Sequence, residues 1–454
     1  MLRSGLIRGE RYSVTILICI FMMKKHFHII VSAACLSMCF AMPVAAQQVL
    51  RAEQRAFLPP QSEGIPKVFD AQGFVYKGFS YYPAMRLDIL STSNVYAQQQ
   101  GEKSDVIYKL SPEISVLKEY KNLQLSSKLR TASKRYSDTK GENRDDVYFN
   151  FAANYELNSR WSIPFRYEQS LYSRDRGEPL NQSASREPLR IKQQHIETGI
   201  SKRFNRLILS LKGGYDSMRF SDGQSLVNGS AIIYRDNDRK TYMGQVGAKY
   251  EFLRGVGGDA EHIAFARLKY SENKFARRNF TGAGFTGLSR NGSNIGTFFG
   301  LETKYKGLLF ANIGVGYFTQ DYDEASLDRI GALDFGAEVE YSISPRWMVG
   351  LHLDRDITQD NDIVEGQIAT QLRLSTEYEV YHRLYLDGEY GYSQRHFDQI
   401  GRTDVVGSYS LGALYLLNQN LRAQVKASFT DYQSDVPGSS FKTNSLLFSL
   451  IGKL

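Results

Sequence analysis

From about Tyr82 to the last residue the chain repeats one unit. Ten to thirteen residues alternate between apolar and polar character, and a tight turn or a longer polar loop follows. Phe335, Ala337, Val339 and Tyr341 alternate with Asp334, Gly336, Glu338 and Glu340, and Leu421, Ala423, Val425, Ala427 and Phe429 with Arg422, Gln424, Lys426 and Ser428. A period of two puts successive side chains on opposite faces of a strand, so each segment has one apolar face and one charged face. Helical spacing fits none of these segments. Eighteen of them begin near Tyr82, Val106, Leu123, Val147, Trp161, Gln193, Leu207, Thr241, His262, Ile295, Leu309, Ala332, Trp347, Ile368, Leu384, Val406, Leu421 and Asn444.

The connections alternate as well. Short turns (Glu119 to Asn122, Asn158 to Arg160, Asn205-Arg206, Ser344-Pro345, Tyr381 to Arg383, Asn418 to Asn420) take turns with polar loops such as Ser173 to Pro188, Ser221 to Asp238, Ala276 to Asn294 and Thr358 to Glu365. An even strand count with alternating short and long connections marks a barrel of the outer-membrane type, with turns in the periplasm and loops outside. The expectation is an all-β chain forming a transmembrane antiparallel up-and-down β-barrel of about 18 strands, with 16 as the alternative count. Aromatics near segment ends (Tyr155, Trp161, Tyr167, Tyr305, Tyr317, Tyr341, Trp347, Tyr378, Tyr390, Tyr392) suit interfacial girdles better than the surface of a secreted sandwich or solenoid. Leu446, Phe448, Leu450, Gly452 and Leu454 end the chain in an alternation like the assembly signal of such barrels.

The N-terminal region has another character. Lys24 and Lys25 precede the apolar stretch Phe27 to Phe40, and Val44-Ala45-Ala46 supplies small residues for cleavage, the layout of a secretory signal peptide ending near Ala46. Met22 or Met23 is a natural start, which makes residues 1–21 a misplaced upstream start. Residues 47–78, with Pro59-Pro60, lack the alternation and read as a periplasmic lead-in or a plug; residues 79–454 read as the barrel. All three cysteines (Cys19, Cys35, Cys39) fall in the leader, so the exported chain has no disulfide, thiolate metal site or cysteine nucleophile. It keeps 51 Lys/Arg against 47 Asp/Glu, a balance that gives no reason to expect nucleic acid. No later segment has the roughly 18 apolar residues of a membrane helix, which leaves a barrel as the only way to span.

Few motifs carry chemistry. Gly282-Ala283-Gly284-Phe285-Thr286-Gly287 has the G-x-G-x-x-G spacing but lies in a long loop without a following helix, so loop flexibility explains it. His195, His262, His352, His382 and His396 form no zinc-ligand pair. His352, Asp354 and Asp356 share one strand face, where a serine nucleophile from a neighbour would complete a catalytic set; a lumen face is polar in any case, and no catalysis is expected. Acidic runs Asp321 to Glu324 and Asp354 to Asp362 read as solvated loops rather than ion sites. No metal and no cofactor is expected.

The sign of the inward charge is more informative. Along the second to ninth segments the inward basics include Lys128, Arg130, Arg166, Lys212, Arg267 and Lys269; along the twelfth to fifteenth the inward acids include Asp334, Glu338, Asp354, Asp356, Glu377, Asp387 and Glu389. On different walls of one lumen they would set up a transverse field favouring polar, hydroxyl-rich or zwitterionic solutes. Inward Tyr148, Phe298, Phe310 and Tyr385 would either stack on sugar rings or fill the lumen.

Several stretches resemble a known family: Ser93-Asn94-Val95-Tyr96 and Lys103-Ser104-Asp105-Val106-Ile107-Tyr108-Lys109-Leu110-Ser111-Pro112; Arg203-Phe204-Asn205-Arg206-Leu207 with Gly214-Tyr215-Asp216; and Gly307-Leu308-Leu309-Phe310 with Gly316-Tyr317-Phe318-Thr319-Gln320-Asp321-Tyr322. They are similar to the outer-membrane β-barrel family called beta-barrel porin 2, over about residues 70–454. The resemblance implies a non-enzymatic barrel in the cell outer membrane that helps exopolysaccharide or capsule cross. Its expected partners are outer-membrane lipids and lipopolysaccharide, the barrel-assembly machinery, polysaccharide export proteins and the polysaccharide. The alternatives are a general porin for small polar solutes and a structural or adhesive barrel. Loops rich in both Arg and Asp leave the charge of the cargo and the oligomeric state open.

Overall fold

The computed structural model describes residues 72–176, 185–225, 228–254, 260–276, 280–281, 284–285, 289–358, 367–397 and 401–454. The leader and residues 47–71 of the 47–78 segment lie outside them. Eighteen long strands follow one another: β1 Phe79–Thr92, β2 Asp105–Glu119, β3 Leu123–Tyr136, β4 Arg144–Asn158, β5 Trp161–Ser173, β6 Arg190–Phe204, β7 Leu207–Phe220, β8 Arg239–Arg254, β9 Ala260–Phe275, β10 Gly292–Tyr305, β11 Leu309–Tyr322, β12 Ile330–Ser344, β13 Trp347–Thr358, β14 Gln367–Tyr381, β15 Leu384–Phe397, β16 Arg402–Leu416, β17 Leu421–Ser434 and β18 Phe441–Lys453. Each pairs antiparallel with its neighbour in sequence, and β18 pairs with β1 (Leu450 opposite Leu87), closing the sheet into a barrel without edges. Two short 3-10 turns, Lys140–Glu142 and Arg235–Asn237, are the helical pieces among the described residues. No described helix is long and apolar enough to cross a membrane.

The expected segments each fall within four residues of an observed strand start. One end of the barrel carries connections of two to five residues, and the other carries loops of four to eighteen. Close to the short turns the register shifts on β4, β8, β12 and β14, so bulges let very short connections reverse the chain. Before β1 a short strand, Phe74–Tyr76, folds back on it through Lys77 and Gly78, both at positive φ (49° and 73°). A two-residue hairpin turn of that hand needs positive φ at both positions, which is why glycine occupies one of them.

Alternation fixes which face each residue shows. Leu87, Leu110, Leu211, Val246, Phe299, Val315, Leu333, Leu411 and Phe448 point outward and stay exposed on the isolated chain, a continuous apolar band where lipid replaces a protein core. On β8 outward Tyr242 and Tyr250 bracket this band, eight residues and roughly 26 Å apart along the strand, which a tilt of about 40° projects to roughly 20 Å across the membrane, a little under the roughly 25 Å of a barrel's apolar band. The buried positions Ile107, Ser126, Ala152, Phe265, Phe298 and Phe318 are on the other face, toward the lumen.

Candidate functional site: the inner wall

The register puts every residue of the expected basic, acidic and aromatic sets on the inner face. Lys128 and Arg130 stand on β3, Arg166 on β5, Lys212 on β7, Arg267 and Lys269 on β9, and Asp334 to Glu389 on β12 to β15. Of this set, each basic residue on β3 to β7 is held by a near neighbour. Lys128 Nζ lies 3.1 Å from Glu113, Arg166 Nε 3.3 Å from Glu168, and Lys212 Nζ 3.3 Å from Glu197. The Arg130 guanidinium lies 4.5 Å above the Tyr148 ring. Further round, buried Glu302 accepts hydrogen bonds from Lys249 and Lys304 at 3.0 Å each. Pairs that are satisfied locally hold a polar wall in place and contribute little net field.

The acidic arc differs. Along β12 to β15 the bases facing the lumen are Arg373, 3.4 Å from Glu389, and Arg395. Lys426 on β17 reaches toward Asp387 (3.7 Å) and Glu389 (4.0 Å), distances that give attraction without a tight ion pair. Lys426 lies outside the expected basic set, although its place in the β17 alternation marks it as inward.

Strand position corrects the division into two facing walls. In an 18-strand ring β3 to β7 lie across from β12 to β16, but β9 is only three strands from β12. Arg267 and Lys269 therefore belong to a seam beside the acids: Lys269 interacts electrostatically with Asp356, Asp334 and Asp354, and Arg267 with Asp334 and Glu302.

The aromatic residues also divide. Phe298 and Tyr385 are only 4% and 2% exposed, so they offer a solute almost no ring face. The Phe265 and Phe298 rings stack at 6.0 Å, with the Arg267 guanidinium 4.6 Å above the first and 5.2 Å above the second. They lie flat in notches made by Gly300 and Gly314, where a Cβ would collide with Phe265 and Phe298 respectively. Only the notches let the rings fold against the wall instead of projecting into the lumen. Tyr148 and Phe310 are half-buried and keep part of a face open.

His352, Asp354 and Asp356 do share the inner face of β13, but serine stands across from none of them. His352 faces Glu338 and Arg373, Asp354 faces Gly336 and Gln371, and Asp356 faces Ala369 on β14. No group of three His, Cys, Asp or Glu in metal-binding arrangement occurs among the described residues. Most of the Gly282 to Gly287 stretch and the end of the Asp354 to Asp362 run lie outside the described residues.

Two polar networks were not legible beforehand. Where the barrel closes, Arg86 bonds Asp88 (2.6 Å) and Ser449 (2.9 Å), and Ser449 Oγ donates to Asp88 at 2.6 Å, a lumen-side clasp linking β1 and β18. At the loop end, Tyr172, Leu189, Ile191, Met218, Phe220 and Tyr234 form an apolar cluster over the mouth of β5 to β7. Arg176 and Glu142, both 2% exposed, pair at 2.6 Å between two loops, and Arg176 lies 5.9 Å from the Tyr96 ring of a third. Burial, followed by the Glu142 carboxylate, raises the Tyr96 phenol above its ordinary pKa. Arg290 donates to Asn237 Oδ1 (2.8 Å) and the Asp236 carbonyl (2.7 Å), tying a fourth loop to a fifth.

The sequence matches the family Putative beta-barrel porin 2 over residues 66–453. The chain belongs to this family. It is therefore a porin-like β-barrel channel of the outer membrane. No curated protein matches it. Among solved structures it is similar to the copper transporter OprC (8% identity, 85% of this chain and 82% of that one, TM-score 0.46). It is also similar to OpdK of Pseudomonas aeruginosa, solved with vanillate (10% identity, 82% and 99%, TM-score 0.41). A third is the siderophore receptor PirA of Acinetobacter baumannii (6% identity, 82% and 80%, TM-score 0.44).

Proposed function

We propose that the barrel is the outer-membrane passage of an exopolysaccharide or capsule secretion system and has no enzymatic step. The observation that supports this reading is the inner wall itself, which carries side chains of both charge signs on many strands and has the Phe265 and Phe298 rings folded into glycine notches out of the path. A hydroxyl-rich chain exchanges hydrogen bonds with such a wall at many weak points, which suits passage better than tight binding. In this reading Lys128, Arg130, Arg166, Lys212, Arg267, Lys269, Asp334, Glu338, Asp354, Asp356, Glu377, Asp387 and Glu389 line the path with Tyr148 and Phe310. The leader is cleaved near Ala46, the assembly machinery inserts the barrel, and polysaccharide export proteins deliver cargo from the periplasmic side.

Deletion of the gene tests this directly. Surface and released polysaccharide should fall to background and return with the wild-type gene. Normal polysaccharide together with slowed uptake of small polar solutes would replace this reading with a general porin.

A further inference from the structure

The outer face of the barrel is not uniform at the loop end. Around most of the rim, outward cations are matched by acids: Arg135 with Asp145 (2.9 Å), Arg329 with Asp321 (2.9 Å) and Lys442 with Asp431 (3.5 Å). On β6 to β9 the arrangement reverses. Lys192 stands directly across from Arg219, and Lys240 directly across from Lys274. Like charges opposed on neighbouring strands destabilise a sheet, and nearby acids offset one cation of each pair, which leaves Lys192 and Lys240 to attract an external anion.

Four neighbouring strands thus carry one outward cation each at nearly one level, with Arg190 a fifth at the start of β6. The acids at this rim are Asp238, beside Arg219; Glu272, 3.0 Å from Lys274, with Asp323 also near Lys274; and Asp146, near Arg190. Among the described residues Lys192 and Lys240 have no ion-pair partner, and with Arg219, whose neighbouring acid is Asp238, they leave the middle of the patch positive. Its depth is set by the residues below. Tyr215 and Tyr242 face each other with ring centroids 5.4 Å apart, and Lys274 Nζ lies 5.7 Å from the Tyr242 ring. Outward tyrosines mark the boundary of the hydrocarbon layer, so cations two residues beyond them (Lys240, Lys274) and four residues beyond them (Lys192, Arg219) sit at headgroup level on the loop side. The four strands span about 14 Å, wide enough to engage more than one phosphate at once.

We infer that the outer rim of β6 to β9 is a binding site for the phosphorylated headgroup of an outer-leaflet glycolipid of the lipopolysaccharide class. Lys192, Arg219 and Lys240 grip the phosphates, while Tyr215 and Tyr242 pack on the sugar and upper acyl region. The site rests on residence in the outer membrane and not on what passes through the lumen.

The test uses the full chain purified in detergent, with folding checked by heat-modifiable migration and lipid A binding followed by native mass spectrometry. Each cation at a charged surface is worth roughly a factor of five to ten, so the triple variant K192Q/R219Q/K240Q should bind bisphosphorylated lipid A about a hundredfold more weakly. Lys442→Gln, whose cation already has an acid, should leave binding unchanged, as should the conductance of the triple variant in planar bilayers. Dephosphorylated lipid A should bind the wild type as poorly as phosphorylated lipid A binds the variant. Should the triple variant not fold, salt titration of the wild type decides: binding must weaken steeply as ionic strength rises. Equal binding of both lipids, retention by the triple variant, flat salt dependence, or displacement by millimolar inorganic phosphate would each overturn the assignment.

Discussion

The two faces of β12 to β15 are made by alternate residues of the same strands, yet they obey opposite rules. Leu333, Leu351, Leu374 and Leu386 face outward, and Asp334, Gly350, Arg373 and Asp387 stand beside them in sequence facing inward. Outward positions meet hydrocarbon, which cannot hydrogen-bond, so polar atoms there cost several kcal/mol, of order 2–4 for a cation at midplane. Inward positions meet water and cross-strand partners such as Glu389 for Arg373 (3.4 Å), and both charge signs are tolerated. The face, more than the residue's own propensity, determines what a substitution does.

The sharpest way to break that comparison is to put the same residue on both faces. Leu372→Arg or Val425→Arg, near the middle of β14 and β17, should cost roughly 2–4 kcal/mol in urea unfolding from lipid bilayers. Ser375→Arg or Ser428→Arg, on the inner face of the same strands, should unfold close to wild type. Equal losses on both faces would mean the strands are slipped by one residue, because a single-residue slip exchanges every side chain between faces.

A smaller effect separates the faces by shape alone. Gly300 faces inward, and a Cβ there meets the Phe265 ring and the Ile313 carbonyl; Gly244 faces outward and has nothing within 4 Å of such a Cβ. Gly300→Val should cost about 1–3 kcal/mol through overpacking, and Gly244→Val should be nearly neutral. Since the Phe265 ring would be pushed toward the lumen, Gly300→Val should also lower single-channel conductance. A well-folded Gly300→Val barrel with full conductance would show that the ring does not need its notch.

What was legible in the sequence follows from the same alternation. Strand number, faces and even the inward set were readable because the period of two is local and the membrane enforces it on every strand. The notches were not, because Gly300 and Gly314 acquire meaning only once the register sets them against Phe265 and Phe298. The loop ties were hidden for a related reason: Arg176 meets Glu142, and Arg290 meets Asp236 and Asn237, across 34 to 54 residues that in each case include two full strands. The position of Arg267 and Lys269 is legible by counting strands, which puts β9 beside the acidic arc; sorting charges by stretch of sequence hides it, because angle around the ring decides which charges meet.

That correction sharpens the last prediction, which concerns ion selectivity and has the smallest energies. Replacing the acids Asp334, Glu338, Asp354, Asp356, Glu377, Asp387 and Glu389 with their amides should shift the permeability ratio toward anions. Replacing Lys128, Arg130, Arg166 and Lys212 with Gln should shift it toward cations. Each change should amount to a few-fold at 0.01 M salt, where the Debye length is roughly 30 Å, and vanish at 1 M, where it is roughly 3 Å. The seam distinguishes the new arrangement from two facing walls. Losing Lys128 and Lys212 releases one glutamate each, Glu113 and Glu197, at separate places on the wall. Losing Arg267 and Lys269 leaves Asp334, Asp354 and Asp356 together without the cations that oppose them. Both double variants remove two positive charges, but the second concentrates the exposed carboxylates in one place and should give the larger shift toward cations in reversal-potential measurements. Equal shifts would show that the lumen responds to its total charge alone, and that β9 acts as part of the basic wall after all.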